Sequence, residues 1–270
     1  MTIGVSDTRP LSYTTSSTGP CLLGQISDQT AQRRATSVAH ALATLRDVDL
    51  LVSSDPNEDE ADLAHSLPES HRSEHCCSTT VVEKTTALSP VVNQHQPSTL
   101  VLERPTDQHF IDELFADRAE RLSSSADVLT VDGRGDTDRI ASVLVPVAGG
   151  EHSHLAVETA VAVARANEAA VDLFHVIEAD SETSRDEGQA VLDAALDSVD
   201  EDDADRVDTW LYEAPNVTKA ITEQSAYYDL TVMGAPTIGP LERFVFGSTS
   251  KHVQQEADSP VIVAHAQQSQ

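Results

Sequence analysis

The chain has 270 residues and carries 45 Asp and Glu against 17 Lys and Arg, a formal net charge of −28 with His neutral. Such a surface repels nucleic-acid phosphates and anionic lipid headgroups over a Debye length of roughly 8–10 Å at ordinary salt, so neither is an expected partner. The length suffices for two ordinary domains, and 39% hydrophobic with only 4% aromatic residues rests their cores on Val, Leu, Ile and Ala, a palette of parallel strands under helices rather than of a β-sandwich.

Residues 1–19 read as an N-terminal extension without a secretory apolar core. Strands are expected at 21–26, 48–53, 79–83, 99–103 and 128–132. The stretch 53–98 is rich in Ser, Asp, Glu and His and predicts only weak helices. It holds His65, His71, His75, Cys76 and Cys77. Their spacing fits no standard zinc pattern, so a solvated loop and no metal are expected. With Cys21 the cysteines number three, and the odd count with an adjacent pair argues against a disulfide framework.

A linker at 134–137 leads into a cleaner alternation. Strand Ser142–Val147 is followed by a helix over 153–167, strand Val171–Val176, an amphipathic helix between Asp180 and Val199, and strand Val207–Tyr212. Then come a helix capped by Asn216, strand Leu230–Gly234, a helix near 248–256, strand Pro260–His265 and a tail, 267–270. His175, in a buried strand, is expected to be a hydrogen-bonded core residue. Strict alternation of apolar strands with helices predicts open parallel sheets covered on both faces, with ligands at the carboxyl ends of strands where the strand order reverses. No apolar run approaches the roughly 18 residues that span a bilayer, so membrane insertion is not expected and a cytoplasmic location is.

The chain also matches itself. At a constant offset of 131, Pro105-Thr106 meets Pro236-Thr237, Phe115 meets Phe246, Leu122 meets Val253, and Ala126-Asp127 meets Ala257-Asp258. Upstream, residues 37–52 parallel a segment starting at Ala160, with Val48-Asp49-Leu50 opposite Val171-Asp172-Leu173. Two matches in one order predict a duplication, with copies at 20–133 and 138–266.

The segments VLVPVAGGEHSHLAVETAVAVA (143–164) and VMGAPTIGPLERFVFGSTSKHVQQEADSPVIVA (232–264) resemble the universal stress protein family, in the tandem-domain form of salt-loving archaea. The second copy carries the resemblance clearly and the first copy divergently. The resemblance implies two tandem five-stranded parallel sheets of Rossmann-like type, packed as an intramolecular pseudo-dimer through 128–132 and 260–265. In ATP-binding members the end of strand 1 supplies an Asp near the nucleoside, strand 2 a Val beside adenine, and a glycine segment cradles phosphates. The matching candidates are Val147 and Ala148 after strand 1, Val176, Gly234, Thr237, Gly247, Ser248 and Thr249. Ala148 stands in place of the Asp and Thr237 in place of the second Gly, with Gly239 two places late and Arg243 within reach of phosphates. Losing the ribose-contact Asp weakens a site by roughly 1–3 kcal/mol. The first copy has Glu103, Thr106, Ala116 and Asp117 at these places and is not expected to bind ATP.

The loop 148–153 faintly echoes the strand-1 loop of ATP-pyrophosphatases, but reads as a helix-entry turn with Ser153 as cap. No nucleophile, base or metal site emerges, so the chain is not expected to be an enzyme. The acidity is read as adaptation to multimolar salt, where the Debye length falls to roughly 3 Å. The expected function is that of a non-catalytic regulatory stress protein with at most one weak ATP site in its second copy. The alternative is a nucleotide-independent module regulating a transporter or another protein, because the PVAGG-x-HS loop resembles the cytoplasmic tails of amino-acid permeases. Further association into a homodimer stays open.

Overall fold

A computed structural model describes residues 19–24, 29–54, 79–83, 88–104, 119, 122–132, 139–177, 182–235, 253, 257 and 259–267. In the first half, β1 (Cys21–Gly24), α1 (Gln29–Arg46), β2 (Leu50–Ser54), β3 (Thr79–Glu83), α2 (Leu88–His95), β4 (Thr99–Arg104) and β5 (Asp127–Asp132) follow one another. The second half comprises β6 (Ser142–Pro146), α3 (Gly150–Asn167), β7 (Ala170–Ile177), α4 (Glu182–Leu196), β8 (Val207–Glu213), α5 (Val217–Ser225), β9 (Leu230–Gly234) and β10 (Val261–His265).

Small side chains let the two long helices lie close to the sheet. Ala35, Val38, Ala39, Ala41, Leu42 and Ala43 bury one stripe of α1, and Leu155, Ala156, Val157 and 160–164 bury α3. The helices end alike, on an acidic residue in the left-handed region: Asp47 at φ 53° and Glu168 at φ 55°. After each, the backbone N–H of the next residue closes onto the helix, Val48 onto Ala43 O and Ala169 onto Ala164 O. Helix α5 begins where Asn216 accepts from the Lys219 N–H at 2.9 Å, the N-cap expected from sequence.

The strands form a single ten-stranded sheet in the order β3-β2-β1-β4-β5-β10-β9-β6-β7-β8. This corrects the expectation of two separate five-stranded parallel sheets. Pairing is parallel from β3 to β5 and from β10 to β8, but β5 and β10 meet antiparallel, so the sheet is mixed and continuous. The physical reason is edge satisfaction: each of these apolar strands would otherwise leave a row of N–H and C=O groups unpaired. The contact expected between 128–132 and 260–265 is this joint, with Val131 opposite Ile262 and Val128 opposite His265.

Helices α1 and α3 lie side by side over the joint, so one core runs through both halves. The opposite face has two smaller clusters, one under α5 around Phe174, Ile221 and Val263, the other around Leu100, Val91 and Val128. Arg46, the last residue of α1, bonds Glu158 of α3 in a fork (Nε–Oε1 2.7 Å, Nη2–Oε2 2.6 Å). Its Nη1 donates to Thr99 Oγ1 at 2.6 Å and its Nη2 to Asp127 Oδ2 at 3.0 Å. A buried acid, Asp203, lies in a 3₁₀ turn (Glu201–Arg206) and pairs with Arg165 at the end of α3 and with Arg206 Nε at 2.9 Å, fixing the entry to β8.

Candidate functional site

The strand order reverses twice, and in the second half the reversal falls between β6 and β9, which pair through Val143–Leu230 and Leu144–Thr231. Their carboxyl ends are where an open α/β sheet takes a ligand. Four of the sequence-predicted residues lie there or next to it. Val147 follows β6, buried, its N–H on Phe174 O at 2.9 Å. Ala148 is exposed, and its N–H donates to Ser153 Oγ at 3.2 Å. Val176 is buried in β7 among Ala214, Ala220 and Ile221. Gly234 closes β9.

The loop between β6 and α3 is made by glycine. Gly149 and Gly150 have φ of 83° and 79°, and a Cβ on either would meet no atom of the described residues within 4 Å, so among these the loop stands open. The expected helix start moves: α3 begins at Gly150 with Gly149 as N-cap and no side-chain cap bond. Ser153 is therefore not the cap; its buried hydroxyl accepts from the Ala148 N–H and ties the loop to the first turn of α3. His175 Nδ1 donates to the Val147 carbonyl at 2.7 Å, so this part-buried residue is hydrogen-bonded as expected and holds the residue that follows β6.

Gly234 has a different neighbour from the one its place in a phosphate segment implies. A Cβ there would stand 2.8 Å from the His152 carbonyl carbon and 2.9 Å from its oxygen. The end of β9 thus lies directly under the first turn of α3. Gly234→Ala is expected to lower stability by about 1–3 kcal/mol, because backbone has to shift to admit the methyl. Chemical denaturation checks this, and an unchanged midpoint would remove the close approach as the reason for glycine.

His152 and His265, neither singled out from sequence as site residues, flank the same end of the sheet. The Ala266 N–H donates to His152 Nδ1 at 2.8 Å, and the two imidazoles meet edge to face at 6.5 Å between centroids. Burial pushes the His265 imidazole down to about 4, with the neighbouring His152 adding to the effect. Burial lowers His152 as well, against the pull of Glu151 and Asp127.

The described residues meet the requirements of a nucleoside only in part. They offer an open glycine loop, the uncapped amino end of an 18-residue helix and an apolar wall at Val176. They offer no carboxylate at Ala148. Thr237, Arg243, Gly247, Ser248 and Thr249 lie outside the described residues, as do Gly239, the helix expected at 248–256, the linker, and first-copy Thr106, Ala116 and Asp117. The His65, His71, His75, Cys76 and Cys77 cluster lies outside them too. Among the described residues no group of three or more His, Cys, Asp or Glu is placed to hold a metal ion. Nor, among them, is any helix long and apolar enough to cross a membrane. Glu103, at the β4 position matching Gly234, is buried.

Residues 140–265 match the model of the Universal stress protein family. No curated protein matches the chain. Among solved structures, the cytoplasmic domain of a prokaryotic cation chloride cotransporter is similar over 92% of this chain and 96% of its own, with TM-score 0.64 and 15% identity. A universal stress protein from Archaeoglobus fulgidus is similar over 93% and 97%, with TM-score 0.56 and 14% identity. A functionally unknown protein from Pseudomonas aeruginosa is similar over 93% and 94%, with TM-score 0.55 and 16% identity. At such identities the likeness is one of fold.

Proposed function

We propose that the chain is a non-catalytic regulatory protein of the universal stress type, built from two copies of one domain as an intramolecular pseudo-dimer, with a single weak nucleotide site in the second copy. The family match over 140–265 is the observation that carries the reading. The two-copy part is supported by register: at the joint Val131 stands opposite Ile262, the residue 131 positions further on, which is the offset at which the sequence matches itself. A residue facing its own counterpart is what an isologous contact places on its axis. Each half also has its strands in the order 3-2-1-4-5.

In this site the Gly149-Gly150 loop and the amino end of α3 receive the anion, Val176 lies beside the base, and the glycine and hydroxyl groups of Gly247, Ser248 and Thr249 complete the phosphate contacts. Ala148 leaves the ribose without an acceptor. The high acid content belongs to a protein working in multimolar salt, in the cytoplasm. The test is calorimetric titration with ATP, ADP and AMP in multimolar KCl, on the wild type and on Ala148→Asp. The carboxylate is expected to tighten ATP binding roughly ten- to a hundredfold. Absence of heat in both proteins would sink the nucleotide site.

A second reading, regulation of a membrane transporter by a separate subunit, draws support from the fold likeness to the cotransporter's cytoplasmic domain. Co-purification with a transporter, together with no nucleotide heat, would favour it.

A further inference from the structure

At one end of the ten-stranded sheet lies β8, and among the described residues no strand pairs with its outer side. Parallel pairing with β7 runs from Val171–Val207 to Ile177–Glu213. The Ala214 N–H points at Ile177 O, at 3.0 Å. Backbone groups alternate in direction along a strand, so those of Thr209, Leu211 and Glu213 point outward, away from β7. This is an open template for another strand.

The side chains on this edge combine exposed aromatics with acids. Trp210 is 52% exposed and Tyr212 39%, on the face shared with Phe174, whose ring lies 5.6 Å from that of Tyr212. Asp208, exposed, lies on the same face two residues before Trp210. Glu201, Asp202 and Asp205 are exposed in the 3₁₀ turn that leads into β8, and Glu213 ends it. No lysine lies in this stretch, and its arginines are engaged: Arg206 with Asp203 and, from α4, Arg185 with Glu213. The charges on this edge are acids rather than the lysines that most often guard one, and they flank exposed aromatics, so the edge is guarded against acidic strands and not against basic ones.

We propose that the outer edge of β8 is a docking site for an extended, Lys- or Arg-rich polypeptide segment, which adds as a further strand. Main-chain bonds from Thr209, Leu211 and Glu213 hold it, as in other strand-addition complexes. Its cationic side chains on the Trp210 face lie over the indole and the Tyr212 ring and reach Asp208. A second copy of this chain is the poorer occupant, because it brings the acids of this edge, Asp208 foremost, into direct contact with their own kind. Tyr212 is the register partner of Val176, so this surface borders the base side of the proposed nucleotide site, while the main-chain groups that would hold the added strand lie on the outer side of β8.

Trp210 is the chain's one tryptophan, so its fluorescence reports the edge directly. The probe is a short synthetic peptide alternating valine with lysine, titrated into the full chain at several KCl concentrations. A saturable shift of emission is expected, with affinity falling as salt rises and at least tenfold weaker for the glutamate counterpart. Methylating the alternate peptide nitrogens that face β8 is expected to abolish the shift. Thr209→Pro removes one outward donor and no bond to β7, since its N–H faces away from that strand, and is expected to weaken binding about tenfold. The proposal is overturned if emission does not respond, if the methylated or acidic peptide binds as well as the basic one, or if Thr209→Pro folds and binds unchanged. It is also overturned if light scattering shows that the chain self-associates with burial of Trp210.

Discussion

Arg46→Ala is expected to destabilise the protein by about 3–5 kcal/mol, the range for breaking a buried ion pair by removing one partner. The Arg46 side chain is 8% exposed, and its guanidinium is shared by Glu158 at 26% and Asp127 at 17% exposure. Burial alone would make the cation easier to deprotonate, but the bonds to Glu158 and Asp127 outweigh it and hold the charge beyond its ordinary range. In the variant both carboxylates remain, half inside the protein and without their shared donor, and Thr99 Oγ1 loses its partner too. The site joins the end of α1 to α3 and to the first residues of β4 and β5. Through Asp127, whose Oδ1 accepts from the Gln267 N–H at 2.9 Å, it reaches the segment after β10. Hydrogen exchange in β5 and β10 is therefore expected to rise before exchange elsewhere. Arg46→Met combined with Glu158→Gln, which removes the stranded charge with its partner, is expected to recover much of the loss. A denaturation midpoint unchanged in Arg46→Ala in multimolar KCl would mean that the fork is a surface pair of little consequence.

The sequence made the second half readable because β6 and β9 are buried on both faces and β8 alternates exposed with less exposed residues. Ser142–Val147, Leu230–Gly234 and Val207–Tyr212 were expected from unbroken or alternating apolar runs, and β6, β9 and β8 occupy them to within a residue. In the first half the small residues of 37–46 announce α1, whereas its first residues, Gln29 to Arg33, are polar but for Ala31 and announce nothing. What stayed hidden depends on distant partners. The joining of the strands into one sheet is a choice between edges, and an apolar strand reads the same whether its edge is paired or covered. Gly234 is marked by the sequence as a phosphate residue, while the atoms that exclude a side chain belong to His152, far away in the chain. Arg46 ends a helix, where a cation is favoured by the helix dipole alone, so nothing local distinguishes it from a solvated surface arginine.

The same dependence on distant partners governs His152 and His265, and here it turns into pH dependence. His152 receives the Ala266 N–H on Nδ1, so its ring is neutral with the proton on Nε2, and a second proton would break that bond. It also sits in the first turn of α3, where the helix dipole disfavours a cation. Glu151 and Asp127 pull the other way without prevailing over burial. His265 is held neutral by burial and by His152, its pKa lowered from the ordinary 6.5 to about 4. Below pH 6.5 the unfolded chain takes up protons that the folded chain refuses, so stability is complete above that pH and is lost as pH falls through 6.5 toward 4. At 1.36 kcal/mol per unit, the His265 shift corresponds to about 3 kcal/mol of stability lost across that window. Carboxylates titrate nearby, so the measurement is a difference: unfolding free energy of the wild type against His265→Gln from pH 7.5 to pH 4 in multimolar KCl. The variant has no imidazole to protonate and is expected to show the shallower decline, the two curves diverging below pH 6.5. Parallel curves would mean that His265 charges freely in the folded protein, and that the end of β10 is open to water rather than sealed against the first turn of α3.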